Sequence, residues 1–231
     1  MLDDPSSPPI QRWPSRATTG LPADVRPRRV TLRDGETRAT ILPFASKGQI
    51  PSSLLHFLCG QLNREIEAGD TYPMVDAMQP EAFGAYWFQN FAAVMLVGAL
   101  DLDADLARDA DWSDVCLGSY YVKPNYPGRS SHVCNAGFLV TETARGRGVG
   151  RLLGESYVDW APRLGYVYSV FNLVYETNVA SCRIWDRLGF QQIGRVKGCG
   201  RLKSHPGVLV DAIVYGRELG GRNVQNLEPL S

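Results

Sequence analysis

Residues Thr141–Leu153 read TETARGRGVGRLL, placing Gly146, Gly148 and Gly150 between arginines where an apolar helical pattern begins. A glycine costs about 0.5–1 kcal/mol of chain entropy relative to alanine, so three in a row of alternate positions need a reason. The plain reason is a tight turn. The sharper one is that bare backbone amides at a helix N-terminus cradle phosphate. A dinucleotide fingerprint would need G-x-G-x-x-G after an N-terminal strand, with an acid about 20 residues on. Here the spacing is Gly146-x-Gly148-x-Gly150 in mid-chain, which does not fit. A triphosphate loop would end in G-K-[ST], whereas Gly150 is followed by Arg151 and Leu152.

Outward from this loop, the flanking segments alternate between two periods. Upstream, RRVTLRDGETRATILPF reads as two strands around an Asp34-Gly35 hairpin turn. PSSLLHFLCGQLNREIEAGD places Leu54, Leu55, Leu58, Leu62 and Ile66 on one helical face, with serine at the front and Gly69 closing the back. PEAFGAYWFQNF predicts a short helix, and AAVMLVGAL, VCLGSYYVKP and VCNAGFLVT predict strands. DLDADLARDADW is acidic and reads as an exposed loop. Downstream come a helix (GRLLGESYVDWAPRLG), a buried strand (YVYSVFNLV), a helix (NVASCRIWDRLG) and strands QQIGRV and VLVDAIVYG. This order predicts an α/β fold, a mixed sheet with helices on both faces.

Composition narrows the function. The 231 residues are 44% hydrophobic and 21% charged, with 24 basic and 24 acidic side chains, a balance that argues against a general nucleic-acid binder. No apolar run reaches the roughly 18–20 residues of a membrane span. The cysteines Cys59, Cys116, Cys134, Cys182 and Cys199 contain no C-x-x-C, and His56, His132 and His205 have no metal-ligand spacing. A disulfide framework and a metal site are therefore not expected. Residues 1–28, rich in proline and serine, are expected to be a disordered arm, 29–219 the folded domain and 220–231 a tail. Early acids and the lack of an apolar core predict a cytoplasmic chain, the later arginines leaving a mitochondrial location open.

Two motifs give the loop its meaning. Arg145 through Gly148 to Gly150 spells R-x-x-G-x-G, which resembles the acetyl-CoA pyrophosphate loop of the GNAT acetyltransferases. About one strand later, Asn178-Val179-Ala180-Ser181-Cys182-Arg183-Ile184-Trp185 leads to Leu188-Gly189-Phe190, similar to the second GNAT signature. Longer blocks, among them LNREIEAGDTYP, AYWFQNFAAV, YVKPNYPGRSSHVCNAGFLV and WAPRLGYVYSVFNLVYETN, resemble the fungal L-azetidine-2-carboxylate N-acetyltransferases, which acetylate toxic proline analogues. The likeness spans Arg29 to Leu219.

The resemblance implies a GNAT fold with two splayed parallel strands, CNAGFLVT and YSVFNLVY, holding acetyl-CoA between them. Backbone groups of Phe138, Leu139 and Val140 would pair with the pantetheine arm. Amides of Arg145, Gly146, Arg147, Gly148, Val149 and Gly150 would hold the pyrophosphate, with charge added by Arg145, Arg147 or Arg151. Asn135, through its backbone, Phe138, as apolar wall, and Asn172, through its amide, would hold the cyclic imino acid. Asn178 would serve both as helix N-cap and as a donor toward the thioester. The stretch YVKPNYPGRSSH would close over the substrate. A homodimer is implied in the same way.

Two chemical roles find no obvious owner. The second signature carries Trp185 where a proton-donating tyrosine is common, and an indole is no acid at neutral pH. CNAGFLV has no glutamate to act as base, which leaves water, Glu176, His132 or Tyr175. Asn172, inside an apolar strand, also has a purely structural reading, since a buried amide needs a partner. Two other functions stay open: a GNAT acting on another amine (an amino acid, a polyamine or a protein lysine), and an acyl-CoA-binding regulator without turnover.

Overall fold

The computed structural model describes residues 20–101, 106 and 111–220. Asp34 shapes the first hairpin, its carboxylate accepting from the amides of Glu36 and Thr37 at 2.9 and 2.8 Å. The strands it joins are β1 (Arg28–Thr31) and β2 (Arg38–Phe44). Helices α1 (Ser52–Ala68) and α2 (Pro80–Trp87) follow, then β3 (Phe91–Val97), a single turn α3 (Trp112–Val115), β4 (Cys116–Pro124) and β5 (Val133–Val140). The second half runs α4 (Val149–Arg163), β6 (Tyr168–Tyr175), α5 (Val179–Arg187), β7 (Gln191–Arg201) and β8 (Leu209–Glu218).

These strands form one eight-stranded sheet in the order β1-β2-β3-β4-β5-β6-β8-β7. All neighbours are antiparallel except β5 and β6. Strand alternation sorts the side chains to two faces. Ile41, Ala93 and Tyr120 meet Leu153, Tyr157 and Trp160 of α4 and Trp185 of α5. Their neighbours Leu42, Val94 and Tyr121 meet Leu54, Leu58 and Leu62 of α1 and Phe83 and Trp87 of α2. The mixed sheet with helices on both faces is thus as the sequence pattern implies.

Several expectations are corrected. The folded body begins before Arg29: Val25 is buried in the core, Leu21 packs against it, and Arg163 donates to the Asp24 carbonyl at 2.8 Å. The rest of the expected arm, 1–19, most of the acidic stretch after Asp101, and tail residues 221–231 lie outside the described residues. Pro51, not a serine, is the N-cap of α1, while Gly69 does close it in the left-handed region at φ 72°. Leu55 is only half-buried, against α2 at Gly84. β7 runs on to Arg201, its register shifting twice against β8.

The parallel pair positions the site. β5 and β6 are in register only at Val133–Tyr168 and Cys134–Ser169, after which they separate. At that fork the buried Tyr157 hydroxyl lies 3.1 Å from Cys134 Sγ and 2.6 Å from Ser169 Oγ. On its other edge β6 bulges against β8 between Phe171 and Val174, so Asn172 and Leu173 share the space of one partner residue.

Candidate active site

Beyond the fork, the gap between β5 and β6 opens into a cleft of about 1500 Å³. Its walls bring together Asn135, Phe138, Leu139, Val140, Arg145, Gly146, Gly148, Val149, Gly150, Arg151, Asn172 and Asn178, all singled out from the sequence. Arg147 is absent from the walls. Its guanidinium turns to the β1–β2 hairpin, 3.3 Å from Thr37 Oγ1 and 3.9 Å from Asp34 Oδ2, and its carbonyl accepts from Arg33 N. An electrostatic role for its side chain in the cleft is therefore corrected.

The glycines serve distinct purposes. Gly146 and Gly148 have φ of 75° and 87°, a region costly for other residues, so they turn the chain into α4. Gly150 is instead a question of space, since a Cβ there would meet Ile184 Cδ1 at 3.0 Å and hold α4 off α5. Leu152 N donates to Gly148 O at 3.2 Å, which leaves the amides of Val149, Gly150 and Arg151 ahead of the helical ladder. Those amides and the positive end of the α4 dipole face the cleft, a fit for an anionic phosphate. The nearby arginines have local partners: Arg145 pairs with Glu65, and Arg151 lies 3.2 Å from Glu155.

The side chain of Phe138 belongs to an aromatic cluster on the α4–α5 face, its ring stacked on Tyr120 with centroids 5.2 Å apart and tilted against Trp185 at 4.8 Å. It fills the floor between the diverging strands. Trp185, buried among Phe138, Phe171 and Phe190, is part of that floor. On the opposite face the cleft is polar. Asn172, only half-buried, donates to Asn125 Oδ1 at 2.6 Å, and Asn125 donates back to Asn172 Oδ1 at 3.2 Å. Asn135 Oδ1 accepts from the Ala136 amide at 2.7 Å. Asn178 caps α5, accepting from Ser181 N at 3.2 Å, while lining the cleft.

The structure also adds residues that sequence reasoning missed. Asn125, fully buried, sits in KPNYPG; two prolines around an asparagine were the only signal. Its stretch does not line the cleft: YVKP is the end of β4, and Asn125 N donating to Val133 O at 2.7 Å closes the loop 125–132 that leads into β5. The segment that does reach over the cleft is Thr71–Met74, after α1, where Tyr72 donates to the Phe138 carbonyl at 2.8 Å. Tyr86 and Tyr121 complete this wall, their hydroxyls 2.8 Å apart.

Among the candidate bases, Glu176 is tied to Arg195 at 2.7 Å and is not a wall residue. His132 is outside the walls as well. Tyr175 is a wall residue, but burial raises its hydroxyl's pKa, so Oη keeps its proton and can donate rather than accept one.

A splayed parallel pair, a glycine turn into a helix N-terminus and an amide-capped second helix converge on one cleft. Residues 72–190 match the family described as Acetyltransferase (GNAT) family. This chain belongs to the GNAT family. It is accordingly an acetyltransferase, with acetyl-CoA as acyl donor. Among relatives, N-acetyltransferase aca1 of Schizosaccharomyces pombe is 44% identical over 174 residues, covering 74% of this chain and 80% of that protein. Protein SPT10 of Saccharomyces cerevisiae is 34% identical over 230 residues, 84% of this chain but 36% of SPT10. Of solved structures, a GCN5-related N-acetyltransferase from Kribbella flavida is 28% identical with a TM-score of 0.61, covering 77% of this chain and 97% of that one. The Salmonella typhimurium protein yncA, solved with its cofactor acetyl-CoA, shares the fold at a TM-score of 0.61 and 17% identity, covering 79% and 95%.

Proposed function

We propose that this GNAT enzyme N-acetylates small cyclic imino acids of the azetidine-2-carboxylate and cis-4-hydroxyproline type. One observation carries the choice of acceptor. Among the described wall residues of the cleft the only carboxylate is Glu65, and it is paired with Arg145 and accepts from Thr71 at 3.0 Å. A polyamine or a lysine side chain brings a cation that acidic walls would attract. Amides and phenols are instead what a compact polar acceptor needs, and the resemblance to the proline-analogue acetyltransferases points the same way.

In this reading the amides ahead of α4 hold the pyrophosphate, and the edge of β5 that β6 leaves over Phe138–Val140 holds the pantetheine arm, beside the Phe138 carbonyl that accepts from Tyr72. The bound cosubstrate supplies an activated acetyl thioester. Asn172, oriented by Asn125, fixes the acceptor nitrogen, and the Asn135 backbone fixes its acid group. Held this way, the amine is positioned for attack, which is the larger part of what such a site contributes. The nitrogen is more basic than an ordinary α-amino group with a pKa of about 8, so it sheds a proton first. The described wall carboxylate, Glu65, is taken by Arg145 and Thr71, so water accepts the proton. Tyr175, a wall residue, keeps its phenolic proton.

The test is CoA release by the full chain with azetidine-2-carboxylate, cis-4-hydroxyproline, spermidine and a lysine-containing peptide. Turnover confined to the two cyclic acids is expected. Preference for spermidine or the peptide would refute the substrate, and CoA binding with no turnover of any amine would leave only a regulator.

A further inference from the structure

The glycine motif has few cations left for a phosphate. Of its arginines, Arg145 is taken by Glu65 and Arg151 by Glu155, while Arg147 turns away from the cleft to Thr37 and Asp34. Coenzyme A carries a diphosphate bridge and, on the ribose 3′ oxygen, a phosphomonoester. The amides ahead of α4 suit the bridge, which leaves the monoester without a partner from the motif. Two wall arginines engage no hydrogen bond or ion pair through their side chains among the described residues, Arg33 and Arg187.

Their placement differs. Arg187 ends α5, where Ile184 packs against α4 at Gly150 and Leu188 at Gly154, so it is level with the second turn of α4, past the open amides. Arg33 comes from the hairpin between β1 and β2. Its amide donates to the Arg147 carbonyl at 3.2 Å, and its Cβ would lie 3.5 Å from a Cβ at Gly148, the N-cap of α4. The side chain thus starts beside the residue that immediately precedes the open amides of Val149, Gly150 and Arg151. The hairpin holds that position: Leu32 is buried in the core, and Gly35 N donates back to its carbonyl at 3.0 Å. The neighbouring carboxylate does not neutralise Arg33, because Asp34 accepts from the amides of Glu36 and Thr37 and from the Thr37 hydroxyl, and its ion pair is with Arg147. Thr31, Leu32 and Arg33 all line the cleft, which makes this hairpin its rim where α4 begins.

We propose that Arg33 binds the 3′-phosphate of acetyl-CoA, so that the β1–β2 hairpin supplies the cation that the glycine motif has committed elsewhere. With the acyl end between the diverging strands and the diphosphate at the α4 amides, the adenosine end emerges at the rim beside Gly148, where Arg33 stands. A guanidinium presents paired donors, and a terminal phosphate has the free oxygens to accept them bidentately. The diphosphate bridge has fewer to offer once the amides have taken theirs. This assignment concerns the acyl donor and does not depend on which amine is acetylated.

The experiment is calorimetry of the full chain with CoA and with 3′-dephospho-CoA, in wild type, Arg33→Gln, Arg33→Glu and Arg187→Gln. Wild type is expected to bind CoA at least tenfold more tightly than dephospho-CoA, about 1.4 kcal/mol. Arg33→Gln should bring the two affinities within about threefold of each other by weakening CoA alone, and Arg33→Glu should remove or invert the preference by repulsion. Arg187→Gln should keep the wild-type ratio. Thermal melting without ligand checks the fold, and since the Arg33 side chain bonds nothing in it, both Arg33 variants should melt as wild type does. A wild type indifferent to the 3′-phosphate overturns the proposal, as does a folded Arg33→Gln chain that keeps the preference. Equal weakening of both ligands would put Arg33 on the diphosphate bridge, and loss of the preference in Arg187→Gln alone would put the monoester on α5. Either result overturns it too. Should the glutamine variant not fold, an Arg33→Glu chain with an undiminished ratio does the same.

Discussion

Asn172 carries two jobs that separate experimentally. Its amide is reciprocally bonded to Asn125, which is fully buried, so Asn172→Ala strands a buried amide and costs about 1–3 kcal/mol of stability. If Asn172 also holds the acceptor, kcat/KM falls a hundredfold or more while acetyl-CoA affinity stays near wild type. Asn125→Ala supplies the contrast, because Asn125 is not a wall residue. It should cost similar stability but lose less turnover, through KM, as Asn172 loses its orientation. Equal, small kinetic losses in both variants would reduce the pair to packing. Asn172, Asn135 and Asn178 were legible as amides in apolar or capping contexts. Asn125 and Tyr72 were not, because what gives each its meaning is a partner on another strand.

At the scale of the element, the turn into α4 was the most legible part of the chain, since Gly146, Gly148 and Gly150 have few alternative uses. The sequence did not say which glycine serves conformation and which serves space. Gly148, at φ 87°, would be strained as any L-residue, with Arg33 Cβ 3.5 Å from its added Cβ. Gly148→Ala therefore carries the strain alone, and Gly148→Asp adds a carboxylate among amides that await phosphate. Calorimetry should find acetyl-CoA affinity at least tenfold weaker in the aspartate variant than in the alanine variant, about 1.4 kcal/mol. Equal affinities would take this loop out of the phosphate site. β7 was less legible for a physical reason. Its residues are largely exposed on both faces and its register shifts twice, so no period-two pattern marks its length.

Across the whole molecule, the cleft is closed into a ring by contacts that no local pattern announces. The β7–β8 tip reaches the end of α1, where Ser204 N and Oγ donate to Asp70 at 3.0 and 2.8 Å and Lys203 Nζ donates to the Glu67 carbonyl at 2.6 Å. Asp70 and Ser204 are 134 residues apart, which places their pairing beyond any reading of neighbours. Just past Asp70, Thr71–Met74 line the cleft, and β7 lines it through Val196 and Cys199. The Ser204 amide, chiefly, lowers the Asp70 pKa from its usual 3.8. A carboxylate whose folded pKa is depressed contributes stability above its unfolded value and loses that contribution as pH falls through the folded one. Asp70→Ala should therefore be less stable than wild type at pH 7, with the gap closing as the pH drops below about 4. The same variant should exchange the amides of Lys203 and Ser204 faster at pH 7, while β3 and β4 keep their protection. A stability gap that is as wide at pH 2 as at pH 7 would mean that Asp70 acts by shape and not by charge, and unchanged exchange at Lys203 would mean that the tip is held elsewhere.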